Sequence, residues 1–389
     1  MPMIHRSTLL LVAFGVSLAC GLLAVWGLFA KPGRDFAAAG LGINTSSHEE
    51  SYRYHRRRVI CFSIDDLDAC LGPPSHARKR VFWLGWSQLY AINDYHPGDR
   101  TAPALVAERL DAAGIDLIAV AMPNINPREE LLVYEYVRRR ASLAGLVVPA
   151  WLQGMKQEGI RSTWLPALAD PAIRTQLSAL PSGASILASL PAEAKSAQEI
   201  AQQGRQPEEQ TTQQRVERRL VAALTDLFPL WRLRGQAQGE MKLALLSGKE
   251  RVLRLRNLLL GTRASDWINV IPPARYAINM QALTDLVRIA RADGLPVLVY
   301  VPPRPSERRF PFDPTIYGAF KAESERLALA SGASFVDIED SVGDGVWGEI
   351  DNGAGEIVTD YSHFTAAGHR QMAEAIYGAL ASTILPQMQ

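Results

Sequence analysis

The sequence predicts an α/β protein: a three-layer domain around a parallel five-stranded sheet, interrupted by a helical insertion and preceded by one N-terminal transmembrane helix. Three observations predict it. Short β-prone apolar runs at 81–84, 116–121, 146–150, 296–301 and 334–338 alternate with helical segments, the rhythm of strand–helix–strand units. Two of the helices end on glycine, Gly294 and Gly332, as a left-handed C-terminal cap requires. Residues 8–30 carry no charged side chain, long enough at about 1.5 Å per residue to cross a hydrocarbon core.

With 389 residues, 48% of them hydrophobic and 21% charged, the chain has a globular composition and room for a large domain plus an insertion. Its 41 basic residues nearly cancel its 40 acidic ones, so no global charge points to nucleic acid. Any partner must be read from local features.

Residues 1–30 form the membrane anchor. A cleaved signal peptide is the rival reading, but its apolar region is usually about 7–15 residues, and no small-x-small site closes this run before Lys31. Cys20 lies inside the run and reads as a packing or lipid-facing residue. Residues 31–57 read as a tether, with Arg53, Arg56, Arg57 and Arg58 forming a basic approach to the domain. The flanking charges barely decide orientation. Cys61 and Cys70 are close enough to close a small loop, which a periplasmic setting would permit; two unpaired buried thiols are the other reading.

The first part of the α/β domain spans 58–164. Its first apolar run breaks at Gly85 and presents Ser87 at a tight turn, where a serine hydroxyl and its own N–H can face one point. A helix over 101–113, with Pro103 in its first turn, leads to the second strand, which ends in Met-Pro-Asn-Ile-Asn-Pro at 122–127. A helix over 129–144 and the strand 146–150 follow, then the run Trp151-Leu152-Gln153-Gly154. Residues 165–270 change character: 192–214 are rich in Ala, Gln and Glu, and leucines such as Leu220, Leu224 and Leu227 recur at helical spacing beyond them. This is the helical insertion, placed where a lid or polymer-binding wall would sit. The second part of the domain, 271–389, holds helices over 281–292 and 314–330, the last two strands, and a final helix over 365–381.

Just before that helix stand Asp360 and His363, three residues apart, so one turn of backbone brings carboxylate and imidazole together. Gly85, Trp86 and Ser87 followed by Asn93, with Asp360-x-x-His363 near the C-terminus, resemble the first and last blocks of the SGNH (GDSL-type) hydrolase superfamily. The resemblance implies Ser87 as nucleophile, His363 as base and Asp360 as its partner. The second block normally supplies an oxyanion donor at glycine, and the third reads Gly-x-Asn-Asp; this chain has neither. Beside the Ser87 N–H, the side chains of Asn124 (or Asn126) and Gln153 (or the Gly154 N–H) are the remaining donors. His369 is a further polar residue on the last helix.

The span, the insertion and the altered middle blocks are similar to the envelope-associated branch of that superfamily, proteins like the D-alanine transfer protein and the alginate O-acetylation proteins. This implies a membrane-anchored serine esterase or O-acyltransferase, working through an acyl-serine on acyl groups, acetyl foremost, of a cell-surface polysaccharide. A membrane acyl-donor protein is the implied partner, and the inner membrane with the catalytic domain outside the cytoplasm the implied location. The alternative is a catalytically weak scaffold or glycan-binding protein of the same fold. A plain lipase would show a broad apolar approach to the serine, which Trp83 and Trp86 alone do not make. No cofactor is expected: the three cysteines lack paired spacing, the histidines are scattered, and no glycine loop cradles a phosphate.

Overall fold

The computed structural model describes residues 45–55, 57–71, 78–190, 269–306, 311–351 and 357–388. These belong almost wholly to one compact unit, made of Asn44–Gln206, Arg263–Ile350 and Ile357–Gln389. The expected span at 8–30, the tether up to residue 44 and the leucine-bearing part of the insertion lie outside the described residues. Among the described residues no helix is long and apolar enough to cross a membrane.

The apolar runs pair into a parallel sheet. Its strands are β1 (Ile60–Cys61), β2 (Lys79–Gly85), β3 (Ile115–Ala121), β4 (Leu143–Pro149), β5 (Val297–Val301) and β6 (Ser334–Asp337), in the spatial order β6-β5-β4-β2-β3-β1. The sheet therefore has six strands, one more than the sequence predicts. The extra one, β1, is a two-residue edge strand paired to Ala119 and Val120, too short to show a period of its own. Every strand of the sheet runs parallel to its neighbours. Strands buried on both faces explain why the runs are continuously apolar rather than alternating. On β2, Phe82 and Leu84 join one core cluster, while Val81 and Trp83, equally buried, face the other side.

Helices cover both faces. On one lie α1 (Ile64–Leu71), α3 (Pro127–Val137), α6 (Pro273–Ala292) and α7 (Pro314–Ala330); on the other, α2 (Ala102–Asp111) packs on α8 (Ala366–Thr383). Two short helices, α4 (Pro171–Ser178) and α5 (Gly183–Leu187), add Ile173, Leu177 and Ile186 to the first core, and Ser182 donates to Asp285 of α6. Residues 165–190, which the sequence placed in the insertion, thus pack on the sheet domain.

Local chemistry sets the ends. Asn126 caps α3 in a reciprocal capping box with Glu129, and Asp313 caps α7, each followed by proline at the first helical position. At the far ends Gly294 (φ +78°) and Gly332 (φ +72°) close α6 and α7. The N–H of Leu295 reaches Ala290 and that of Ala333 reaches Ala328, the six-to-one bond of the Schellman motif. Helix α6 starts eight residues earlier than the sequence period shows because Pro273 opens it, and its first turns are largely exposed, so they show no buried apolar stripe.

Cys61 at the end of β1 is disulfide-bonded to Cys70 of α1, which decides between the two readings of these cysteines. The basic approach is paired internally: Arg58 meets Glu49 and Asp66, Arg53 meets Glu49, and Arg57 meets Asp116.

Candidate active site

The connectivity of the sheet creates one crevice at its carboxyl edge. After β2 the chain crosses by α2 on one face to β3; after β3 it crosses by α3 on the opposite face and returns as β4 on the other side of β2. Neighbours β2 and β4 therefore send their exits to opposite faces, the switch point at which ligands of open α/β sheets gather. Ser87 leaves β2 there, and Trp151 and Gln153 leave β4.

Gly85 ends β2 with its backbone against Leu89, whose side chain would lie 2.5 Å from a Cβ at that position. The chain then winds one 3-10 turn over Ser87–Leu89. Its first internal bond runs from the Leu89 N–H to the Trp86 carbonyl, so the N–H groups of Ser87 and Gln88 precede the ladder.

The last residues of the site come from β8 (Ile357–Phe364), which pairs with β7 (Trp347–Asp351) as a separate ribbon. The sequence expects a helical turn to join Asp360 and His363; the structure reaches the same juxtaposition within an extended segment. Oδ1 of Asp360 accepts the N–H groups of Ser362 (2.8 Å) and His363 (3.2 Å), an Asx-type turn that curls the strand. Its other oxygen is left for the imidazole. Helix α8 starts at once beyond, with Phe364 set against Gly368, where a Cβ would come within 2.6 Å of the Phe364 side chain.

Three side chains form one hydrogen-bonded chain. Asp360 Oδ2 lies 2.7 Å from His363 Nδ1, and His363 Nε2 lies 2.8 Å from Ser87 Oγ. Ser87 is 7% exposed, His363 6% and Asp360 2%, so the chain is shielded from bulk water and its electrostatic terms are strengthened. With Nδ1–H donated to the carboxylate, Nε2 is the acceptor that faces the hydroxyl. A hydroxyl so placed can attack an acyl carbon while its proton passes to Nε2.

The remaining predicted residues separate. Gln153 lines the cleft beside Ser87, together with Trp86, Gln88, Trp151, Arg304 and Ser362. Asn124 is exposed, holds a left-handed φ of +52°, gives its carbonyl to Arg161 and is not part of the cleft wall; it makes the turn into α3. Asn126, as the cap of α3, spends its oxygen on Arg128 and Glu129. Gly154 is buried, with its N–H donated to the Trp151 carbonyl and its own carbonyl facing the Asn279 amide, so it is not a free oxyanion donor. Asn93 ties Thr45 to the Glu349 carbonyl and serves the framework. His369 is fully buried: its Nδ1 accepts the Ala102 N–H and its Nε2 donates to the Ala91 carbonyl, and burial pushes its pKa down to about 3. It is a neutral brace between α8, α2 and the Ser87 loop. Among the described residues no group of His, Cys, Asp and Glu is arranged to hold a metal ion.

Apart from Gln153, sequence reasoning left the cleft walls unassigned. Trp86 stacks flat on Trp151, centroids 4.2 Å apart, and Arg304 reaches the wall while bound to Glu339, which also meets Lys321. The one sequence signal available was position: Gln88 follows the serine, and Trp151 opens the exit of the adjacent strand.

No protein-family model matches the chain, and no curated protein is significantly similar to it in sequence. Among solved structures, it is similar to a candidate acylhydrolase from Bacteroides fragilis NCTC 9343, with 11% identity, 81% of this chain and 93% of that chain covered, and a TM-score of 0.36. It is also similar to a GDSL-like lipase from Bacteroides thetaiotaomicron VPI-5482, with 13% identity, 82% and 95% covered, and a TM-score of 0.37. At such scores the likeness adds nothing to what the sheet order and the side chains of this chain show directly.

Proposed function

We propose that the protein is a serine esterase or O-acyltransferase that works through an acyl-serine at Ser87. The observation that carries this is the unbroken chain Ser87–His363–Asp360 at the switch point of the sheet. His363 takes the Ser87 proton as Oγ attacks an ester carbonyl, then returns it to the departing alcohol. Asp360 holds the imidazole in the required tautomer and stabilises its cationic form. The Ser87 N–H, free of the 3-10 ladder, is the first oxyanion donor; each such donor is worth about 3 kcal/mol in comparable sites. Water or a second alcohol then resolves the acyl-enzyme.

The fuller reading places this chemistry outside the cytoplasm, on acetyl groups of a cell-surface polysaccharide, with residues 8–30 as the anchor and a membrane protein as acyl donor. The apolar run supports the anchor, and the Cys61–Cys70 bond supports an oxidising compartment for the body. Labelling with a fluorophosphonate tests the core of the proposal. Wild type is expected to label and to give a burst with p-nitrophenyl acetate, and Ser87→Ala to do neither. Equal inertness of two folded proteins would instead favour the scaffold or glycan-binding reading.

A further inference from the structure

The cleft beside Ser87 has an apolar wall and two unsatisfied acceptors. Gln88 is 1% exposed; its Nε2 donates to the Pro303 carbonyl at 3.0 Å, which fixes the amide, because the reversed orientation would set oxygen against oxygen. The Oε1 that remains is buried, and among the described residues no donor reaches it. Oε1 of Gln153, which lines the same cleft at the exit of β4, also meets no donor among the described residues, and with no hydrogen bond orienting it this amide can turn its oxygen to an incoming donor. Buried amide oxygens without donors are costly and therefore rare. The cleft's cation, Arg304, pairs with Glu339 and lies over the face of Tyr317. The stacked pair Trp86 and Trp151 lines the same cleft, a flat apolar surface.

A group that complements this lining presents C–H on one side and hydrogen-bond donors on the other. A saturated alcohol with several hydroxyls does so; an acyl chain supplies no donor and an anion supplies only acceptors. The space beside these residues is about 20 Å³, room for a single hydroxyl of such an alcohol rather than for an acyl chain. Gln153, only half-buried, is the side chain that can turn to admit it.

Resting on the acyl-serine reading above, we infer that Gln88 and Gln153 are specificity-determining residues that accept hydrogen bonds from hydroxyl groups next to the scissile ester, so that the enzyme selects esters of polyols, sugars among them, over esters of plain alcohols. A site built around buried acceptors discriminates strongly against an analogue lacking the donor, because its own oxygens are then left unpaired.

The test uses the full chain in detergent, with glycerol 1-acetate and propyl acetate as probes. Each kcat/KM is divided by that ester's alkaline hydrolysis rate, and the fraction of active serine is fixed by fluorophosphonate titration. Wild type should favour the glycerol ester by about tenfold or more, the equivalent of one hydrogen bond. In Gln88→Met and in Gln153→Met the ratio should fall several-fold, and in the double variant to within about twofold of unity, the ratio being internal to each variant and so independent of how much of it folds. A labelled Ser87 with a wild-type ratio near one, or a ratio untouched by both substitutions, overturns this inference and leaves the acyl-serine reading standing. An unlabelled Ser87 overturns that reading and this one with it.

Discussion

At the scale of single residues, the two oxygens of Asp360 divide their work: Oδ1 holds two backbone N–H groups and Oδ2 holds His363. Asparagine can keep the first role, since its own oxygen accepts the same N–H groups. Its amide nitrogen then faces Nδ1, forces the imidazole to carry its proton on Nε2, and leaves Ser87 without a base. Asp360→Asn is therefore expected to fold with a melting temperature near that of wild type while esterase turnover falls by about 10²-fold or more, measured with p-nitrophenyl acetate. His369 makes a contrasting prediction. Its folded pKa of about 3 lies below the ordinary 6.5, so the unfolded chain binds the extra proton, and the stability this group secures is complete above pH 6.5 and lost as pH falls toward 3. Urea unfolding across that window should show a decline of which His369→Leu removes one proton's share, about 1.4 kcal/mol per pH unit at most. The Asp-x-x-His spacing singled out His363, whereas the brace at His369 depends on Ala91 and Ala102, hundreds of residues distant, and no local pattern announces that.

Whole elements were most legible where their boundaries are local chemistry. Helix α7 begins at Pro314 behind Asp313 and ends before Gly332, and those residues are readable by themselves. The sequence overextends α3 to residue 144, while the helix stops at Val137, because its capping box announces a start and no glycine announces the end. Strand β1 escaped notice since its two residues owe their conformation to β3. Helix α3 also buries Glu130, whose carboxyl is pushed up to about 8 by burial first and by Glu129 second. Here the sign is the reverse of that at His369: the folded state holds the proton, so stability is full below pH 4.5 and lost as pH rises through 8. Glu130→Gln, which keeps the neutral shape, should abolish this alkaline loss. Chemical unfolding at pH 5 and pH 9 checks it, and an unchanged difference between the two would show that Glu130 ionises in the folded protein as freely as in the unfolded one.

For the whole molecule, the order of strands does what no motif can: it brings the exit of β2, the exit of β4 and the segment before α8 to one edge, so that residues 276 apart in sequence share a hydrogen bond. Sequence rhythm gave the parallel sheet, and two end blocks gave the serine, histidine and aspartate. The cleft lining stayed hidden because Gln88, Trp151 and Arg304 acquire meaning only when three loops converge. The disulfide bears on the same scale, since it joins β1 to α1 at one edge of the sheet. The chain has three cysteines, and only Cys20 lies in the apolar run proposed as the anchor. If the body lies outside the cytoplasm, trapping thiols in intact cells with acid, then denaturing and alkylating with a maleimide of visible mass, should add one label to the full chain, and three after reduction. Three labels without reduction would place Cys61 and Cys70 in a reducing compartment and reverse the proposed orientation. Closing a loop this short contributes about 3 kcal/mol by chain entropy. The Cys61→Ser, Cys70→Ser double variant should accordingly melt several degrees lower, about 2–4 °C per kcal/mol for a domain of this size, while keeping the geometry of Ser87 and His363 on the central strand and the far ribbon.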